Sequence, residues 1–311
     1  MRCRSRAQFE TRGGYLLVDQ DDACAYLTLM ALFEGGSEYW SDRYRELGAR
    51  ELVARICAGE FAGYKKIGAR LQESAQNFKA EEKWSEMKDS GAFLITRSDS
   101  DWPAGLEDLA APPIALIGRG RREHLATLAQ SLAIVGTRNP THYGVRTAGD
   151  FAVGAVDRGY AVVSGGAVGI DSAAHQGAIA GEGVTIAVLA SGVCVPFPAT
   201  NSRLFSEILN NGLLLSEVLP SVHAIPARFL IRNRLIAALS TATVVIEAAF
   251  RSGSLRTARD AAEIFRPVMA VPGPITSPSS DGCHRLIAER AAELVTGIAD
   301  LMELVGARQQ L

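Results

Sequence analysis

The chain has 311 residues, of which 48% are hydrophobic and 21% are charged, and its formal net charge is -2. These values are typical of a soluble globular protein and exclude a strongly basic chain, so any contact with nucleic acid requires a local basic patch. No apolar run approaches the roughly 18 residues of a membrane span, and the five cysteines form no CxxC pair or Cys/His cluster. We therefore expect a cytoplasmic protein with reduced thiols, no membrane contact and no metal site.

Residues 1–90 are predicted to form a small N-terminal helical module. The first 14 residues or so are polar and rich in arginine, which is typical of a loose arm. Every lysine lies between residues 65 and 88, and this change in composition indicates a domain boundary near Ser90. The module either contacts DNA or is a helical decoration packed on the main domain. Its predicted helices run from Asp22, as N-cap, to Phe33, from Glu46 to Ala58 and from Gly68 to Met87, with a break at Gly35-Gly36.

From residue 91 to residue 311, short apolar strands alternate with helical patterns. Continuous apolar strands separated by helices are typical of parallel strands that are buried on both faces. We therefore predict an α/β core with a doubly wound, mainly parallel, Rossmann-like sheet. The predicted strands are Ala92–Thr96, Ile114–Ile117, Leu132–Val135, Tyr160–Val163, Thr185–Leu189, Leu213–Ser216, Ala242–Ala248 and Pro267–Val271. The later predicted helices cover residues 201–211, 228–240, 254–265, 283–291 and 298–305.

Glycine-rich turns follow the strands Leu132–Val135 and Tyr160–Val163. The carboxyl end of a parallel strand, where a helix begins, presents backbone N–H groups and a helix dipole that favour an anion. The two turns are therefore predicted to form adjacent walls of one phosphate-binding crevice. The residues in this prediction are Gly136, Arg138, Ser164, Gly165, Gly166 and Gly169.

The second turn is an imperfect dinucleotide fingerprint, because Ser164 replaces its first glycine and no acidic residue ends the next strand at Leu189. Residues 89–311 contain no lysine, which excludes a P-loop and a Schiff-base lysine there. We therefore predict no cofactor. In the following helix, Asp171 is expected to stabilise the N-terminus and His175 to be a packed histidine.

Residues 228–259 contain six arginines and a single acid, Glu247. Arginine is suited to bidentate phosphate contacts and to stacking on bases. Because the turns after parallel strands share one edge of the sheet, these residues are expected to converge on the same crevice and to bind single-stranded DNA. The residues in this prediction are Arg232, Asn233, Arg234, Ser252, Gly253 and Ser254, with Phe229 or Phe197 as candidate stacking partners.

Seven motifs between residue 92 and residue 305 resemble the Rossmann-like core of the DNA-processing protein A family (DprA/Smf). They read AIVGTRNPTHYG, VVSGGAVGIDSAAHQGA, FPATN, SEVLP, RFLIRNRLIAALS, VVIEAAFRSGSLRTA and AVPGP followed by SDGCHRLI. The resemblance implies a protein without catalytic activity that binds single-stranded DNA, loads the RecA recombinase in natural transformation and recombination, and forms a homodimer. It implies DNA contacts at Arg138, Ser164–Gly169, Asn201 and Arg232-Asn233-Arg234.

The chain departs from the family's pattern in several places. Cys194 stands where an Asp is frequent before Phe197-Pro198, and Phe265-Arg266 replaces a usual Gly-Arg. No helix-hairpin-helix is evident in the N-terminal module. We also expect no winged-helix domain after the core.

An alternative from another class remains open: a nucleotide-binding protein, or an enzyme resembling the nucleoside-monophosphate phosphoribohydrolases. Those enzymes use a P-G-G-x-G-T-x-x-E turn. The comparable stretch here places Asp260 three residues after Thr257, and Arg256 replaces a glycine of that loop. A glycosidase needs a carboxylate positioned near the sugar, so this turn favours binding over hydrolysis.

Overall fold

The computed structural model describes residues 11–12, 15–16, 18–64 and 67–308. The arm expected over the first 14 residues therefore lies mostly outside the described residues. Near its end, strand β1 (Thr11–Arg12) pairs antiparallel with β2 (Tyr15–Leu16), which follows the arm. No helix in the described ranges is long and apolar enough to cross a membrane.

The described part of residues 1–90 contains four helices. They are α1 (Gln20–Leu32), α2 (Glu38–Cys57), α3 (Gly68–Asn77) and α4 (Ala80–Asp89). The prediction that Asp22 caps the first helix is wrong, because the side chain of Asp19 accepts the backbone N–H of Asp22 at 2.9 Å and is the N-cap.

The other predicted helix ends also differ from the structure. The second helix begins at Glu38 rather than Glu46 and bends at Gly48, whose φ of 75° a side chain would disfavour. The single helix expected from Gly68 to Met87 is two helices, with a break at Phe78-Lys79. Local sequence therefore predicted helical structure here but not its ends.

The core is a nine-stranded sheet. Its strands are β3 (Ala92–Thr96), β4 (Ala115–Gly120), β5 (Ser131–Val135), β6 (Ala161–Ser164), β7 (Thr185–Leu189), β8 (Leu213–Ser216), β9 (Ala242–Val245), β10 (Val268–Ala270) and β11 (Glu293–Leu294). They lie in the order β11-β10-β9-β5-β6-β7-β8-β4-β3, parallel from β11 to β8, whereas β4 is antiparallel to both of its neighbours. The prediction missed β11, because two exposed residues give no apolar run.

Helices cover both faces of this sheet. They are α5 (His142–Val156), α6 (Ile170–Ala180), α7 (Ser202–Asn211), α8 (Pro226–Ala238), α9 (Ser254–Glu263), α10 (Asp281–Ala288) and α11 (Ile298–Arg308). The chain moves outward from β5 to β8 through α5, α6 and α7. It then continues through α8 to β9, on the other side of β5, and moves outward again through α9 and α10. The topology is doubly wound and mainly parallel, as predicted.

Alternation along the strands divides the core between the two faces. On β5, Leu132 and Ile134 pack in an apolar cluster with α5, α6 and α11, whereas Ala133 and Val135 pack in a cluster with α8, α9 and α10. A third cluster joins the N-terminal helices to α7 and to β3, β4, β7 and β8. The N-terminal module thus shares a continuous core with the sheet, and the boundary near Ser90 stays a prediction.

Candidate nucleic-acid interface

A cleft of about 790 Å³ opens at the carboxyl edge of the sheet, between β5 and β9. The strand order reverses at this point, and the loops after the two strands diverge. In doubly wound folds, ligands bind at such a switch point. Of the predicted site residues, the cleft is lined by Gly136, Arg138, Arg232, Asn233, Ser252, Gly253 and Ser254. Those outside its lining are Ser164, Gly165, Gly166, Gly169, Asn201 and Arg234.

Glu247, two residues after β9, is 2% exposed and lies against the turn that follows β5. Its carboxylate accepts the backbone N–H of Thr141 at 2.8 Å and the Thr141 hydroxyl at 2.6 Å. Thr141 is the N-cap of α5, so an internal carboxylate lies where this helix N-terminus would hold an anion. A Cβ on Gly144 would overlap that carboxylate. At this turn the protein supplies its own anion.

The turn after β6 is held in a similar way. Asp171 Oδ2 accepts the N–H of Ala167 at 3.3 Å, and burial raises the pKa of this carboxyl group. The Ser164 hydroxyl donates to the Ile134 carbonyl at 2.7 Å, and Asn201 Nδ2 donates to the Gly166 carbonyl at 2.9 Å. Ser164 and Asn201 therefore fix the shape of the turn from behind the cleft.

Two glycines of this turn are required by close packing. Gly166 has a φ of 68°, and a Cβ there would lie 2.7 Å from the ring of Phe205. Gly169 has a φ of 91°, and the next N–H, that of Ile170, donates to the Thr137 carbonyl at 3.2 Å. This bond joins the two glycine-rich turns into one wall.

Arg232 lies under the cleft and is 6% exposed. Its Nη1 donates to the Gly165 carbonyl at 2.8 Å and also to the Val188 carbonyl, and its Nε donates to Asn233 Oδ1 at 3.4 Å. Burial lowers the pKa of its guanidinium to about 10, although Asp171 opposes that shift. Arg232 therefore remains a cation at neutral pH and ties α8 to β7 and to the turn after β6.

Helix α8 directs Arg234 away from the cleft. Side chains two positions apart on a helix point about 200° apart. Arg234 Nη2 donates to both carboxylate oxygens of Glu217 at 2.6 Å, and the two side chains are 12% and 10% exposed. Asn233 instead donates from Nδ2 to the Gly253 carbonyl at 3.1 Å. The structure brings Arg232 and Asn233 to the cleft but does not bring Arg234.

The exposed rim of the cleft combines a cation with aromatic rings. The guanidinium carbon of Arg138 lies 5.0 Å from the ring centroid of Phe229, at cation–π distance. Phe229 meets Phe197 edge to face at 5.8 Å, and Phe197 is 49% exposed. Leu230, which also lines the cleft, is 58% exposed. This rim offers both a positive charge and flat apolar surfaces to a ligand.

The opposite wall is the N-terminus of α9 with the loop before it. Arg251 and Gly253 line the cleft and are exposed, and the hydroxyls of Ser252 and Ser254 lie 2.8 Å apart. The first turn of α9, Ser254–Thr257, contains no acidic residue. The N-terminus of α5 is paired with the Glu247 carboxylate and the first turn of α6 contains Asp171, whereas α9 presents its positive end to the cleft without a carboxylate in its first turn.

Among the described residues, Asp171 is the one acid–base side chain that lines the cleft, and it is 7% exposed; the other candidate groups lie elsewhere. Asp260 is 3% exposed, accepts from Arg256 Nε at 2.6 Å and does not line the cleft. His175 is buried, as expected, with Nδ1 2.6 Å from Thr185 Oγ1, and burial lowers its pKa to about 3. Across the described ranges, no group of three or more His, Cys, Asp or Glu side chains could hold a metal ion.

Sequence reasoning missed two residues of this site. Glu247 was noted as the single acid among six arginines, but its contact with Thr141 spans 106 positions and has no local signature. Arg251 is one of the six arginines expected to converge on the crevice, but it is not among the individual residues predicted to bind DNA. The one sequence feature that points to Glu247 is that it is the single acidic residue in an arginine-rich segment.

The fold and the cleft define a Rossmann-like protein with a cationic site at its switch point. More particularly, the chain belongs to the DNA recombination-mediator protein A family, whose model matches residues 93–306. A putative DNA processing protein DprA of Mycobacterium tuberculosis is 46% identical over 229 residues, which cover 70% of this chain and 58% of that protein. DNA processing protein DprA of Streptococcus pneumoniae is 38% identical over 204 residues, covering 66% of this chain and 71% of that protein. The chain thus spans little more than half the length of the M. tuberculosis relative.

Solved structures give the same assignment. The X-ray structure of DprA from S. pneumoniae has a TM-score of 0.73 at 28% identity and covers 93% of this chain and 98% of its own. A structure of DprA from Helicobacter pylori, described for its single-stranded DNA binding mode, has a TM-score of 0.62 at 29% identity and covers 70% of this chain and 96% of its own. The predicted family and fold are confirmed.

Proposed function

We propose that this chain binds single-stranded DNA in the cleft between β5 and β9. The observation that carries the proposal is the convergence of Arg138, Arg251 and the N-terminus of α9 on one cleft that has aromatic rings at its rim. The description of the H. pylori relative as a single-stranded DNA binder supports the same ligand class here.

The chemistry divides between phosphates and bases. Exposed guanidinium groups and a helix N-terminus attract phosphates, and Arg232 adds positive potential from below. Unpaired bases stack on the faces of Phe229 and Phe197, as aromatic residues do in other single-strand binders. A duplex keeps its bases stacked inside, so it gains the phosphate contacts without the stacking. Because the net charge of the chain is -2, the attraction for DNA phosphates must come from these local cationic groups.

Under this proposal the predicted site residues have different roles. Arg138, Ser252, Gly253 and Ser254 meet phosphate directly. The residues that shape and support the walls are Gly136, Ser164, Gly165, Gly166, Gly169, Asn201, Arg232 and Asn233. Arg234 supports α8 from the side opposite the cleft.

We extend the proposal to a recombination mediator without chemistry of its own that acts in the cytoplasm as a homodimer and loads RecA onto the bound strand. Membership of the recombination-mediator family supports this extension. Hydrolysis of a nucleotide is not proposed. Asp260 pairs with Arg256 and does not line the cleft, and Asp171, which does, is 7% exposed and accepts the N–H of Ala167.

The test is fluorescence anisotropy of a labelled oligo-dT, measured at several salt concentrations beside the matching duplex. Wild type should prefer the single strand and lose affinity with salt. Arg138→Ala should weaken binding and reduce the slope of log K against log salt by about 0.7, the value of one lost phosphate contact on a single strand.

The matched control is Arg121→Ala. This exposed arginine follows β4 and donates its N–H to the Gly212 carbonyl, at the amino edge of the parallel strands. Arg121→Ala changes the net charge by the same amount as Arg138→Ala, but at the edge of the sheet opposite the cleft. Its affinity for oligo-dT and its salt slope should match those of wild type. Equal losses in both variants, or none in Arg138→Ala, would refute the cleft assignment.

A further inference from the structure

We propose that Glu247 is a positioning residue of the single-stranded DNA site, which holds the Arg138 segment in place and keeps the N-terminus of α5 from competing for phosphate. The inference rests on the proposed function and assigns a role to a residue that does not itself line the cleft.

Glu247 ties both ends of the short segment that carries Arg138. Its main-chain carbonyl accepts the N–H of Thr137 at 2.7 Å, and its carboxylate accepts both the N–H and the hydroxyl of Thr141. The segment between these ties contains three residues, of which Arg138 is the first. Both ends of the segment are bonded to Glu247, which lies in the loop between β9 and α9. The position of Arg138 is therefore set relative to that loop, which forms the opposite wall of the cleft.

The carboxylate also has an electrostatic role. It is buried against the N-terminus of α5, where the helix dipole favours an anion. Gly144 leaves the space for it, since a Cβ there would overlap Oε2. With this place filled, a DNA phosphate is directed to Arg138 and to the N-terminus of α9, where no first-turn acid competes.

This role makes a prediction opposite in sign to simple electrostatics. Removing a negative charge beside a nucleic-acid site should strengthen binding if the charge acts only through space. If Glu247 positions Arg138, Glu247→Gln should weaken binding instead. The amide can accept through one oxygen only, so the Arg138 segment loses one of its two side-chain bonds to Thr141 and the guanidinium is held less firmly over Phe229.

The experiment is a double-mutant cycle with the labelled oligo-dT. Glu247→Gln should weaken binding by about fivefold, whereas in an Arg138→Ala background the same substitution should change affinity by less than about twofold, because the two residues act through one contact. Thermal melting shows whether each variant is folded at the assay temperature. Should Glu247→Gln be unfolded, Thr141→Val carries the same prediction; it removes the hydroxyl that donates to Glu247 and, with it, the N-cap acceptor of the Gly144 N–H.

The outcomes separate the two proposals. If wild type binds and Glu247→Gln binds equally or more tightly, the positioning role is overturned and the single-stranded DNA site stands. An equal loss in the Arg138→Ala background would show that Glu247 acts on the fold in general, which also overturns the positioning role. Failure of wild type to bind the oligonucleotide overturns both.

Discussion

The buried ion pair between Arg234 and Glu217 allows a quantitative test of how α8 is held. Glu217→Ala removes the acceptor of two 2.6 Å hydrogen bonds and leaves a guanidinium that is 12% exposed. Within the described part of the chain, Nε and Nη1 of Arg234 have no other hydrogen-bond partner. Breaking one half of a buried ion pair costs about 3–5 kcal/mol, so we expect a loss of that size in the free energy of unfolding.

The paired substitution Glu217→Leu with Arg234→Met provides the control. It removes both charges while keeping a similar side-chain volume, and such replacements often leave stability unchanged. The free energy of unfolding of the paired variant should therefore lie within about 1 kcal/mol of that of wild type. Urea unfolding followed by tryptophan fluorescence measures the stability of both variants. Trp40 is a suitable probe because it is buried in the N-terminal module, with its ring centroid 4.2 Å from that of Phe33. Equal losses in the single and the paired variant would refute the reasoning.

The same paired variant also tests the direction of α8. Because Arg234 points away from the cleft, the folded paired variant should bind oligo-dT with the affinity and salt slope of wild type. A folded protein with a reduced salt slope would place Arg234 in contact with phosphate and contradict the assignment of roles along α8.

Two further predictions concern buried positions. In the folded protein the pKa of His175 is about 3, so below about pH 6.5 the unfolded chain takes up a proton at this residue and the folded chain does not. This difference should lower the free energy of unfolding by about 2 kcal/mol between pH 7 and pH 5. Urea titrations should show that His175→Gln lacks this part of the decline, and identical pH profiles would contradict it. Gly166→Ala should cost about 2–4 kcal/mol from its positive φ and its contact with Phe205, and Phe205→Leu should recover part of that loss in thermal melts. An unchanged melting temperature in Gly166→Ala would show that the ring moves aside freely.

The sheet could be predicted from the sequence because its main strands are continuous apolar runs. Strand β7, Thr185–Leu189, agrees with the prediction at both ends, since it is buried throughout and glycines lie close to both ends, at Gly183 and Gly192. Strand β11 could not be found, because its two exposed residues owe their conformation to pairing with β10. Strands that depend on a neighbour leave little trace in local composition.

The site was predicted in outline and not in detail for a related reason. The convergence of Gly136, Arg232 and Gly253 on one cleft follows from the rule that parallel strands share a carboxyl edge. The opposite directions of Arg232 and Arg234 depend on the rotation of α8 about its axis. That helix packs against both the sheet and the loop before α2, so its pattern of apolar residues does not identify a single buried face.

The core shared by the N-terminal helices and the sheet affects how deletion variants can be interpreted. A chain shortened to begin at residue 91 would leave Leu94, Ile117 and Phe205 without the helices that cover them, and would open the surroundings of Glu217 to solvent. Such a fragment should be poorly soluble and should self-associate through this apolar surface. Loss of DNA binding after that deletion would therefore report a damaged scaffold, and point substitutions on the outer surface of the helices are the sounder way to ask whether the module touches DNA.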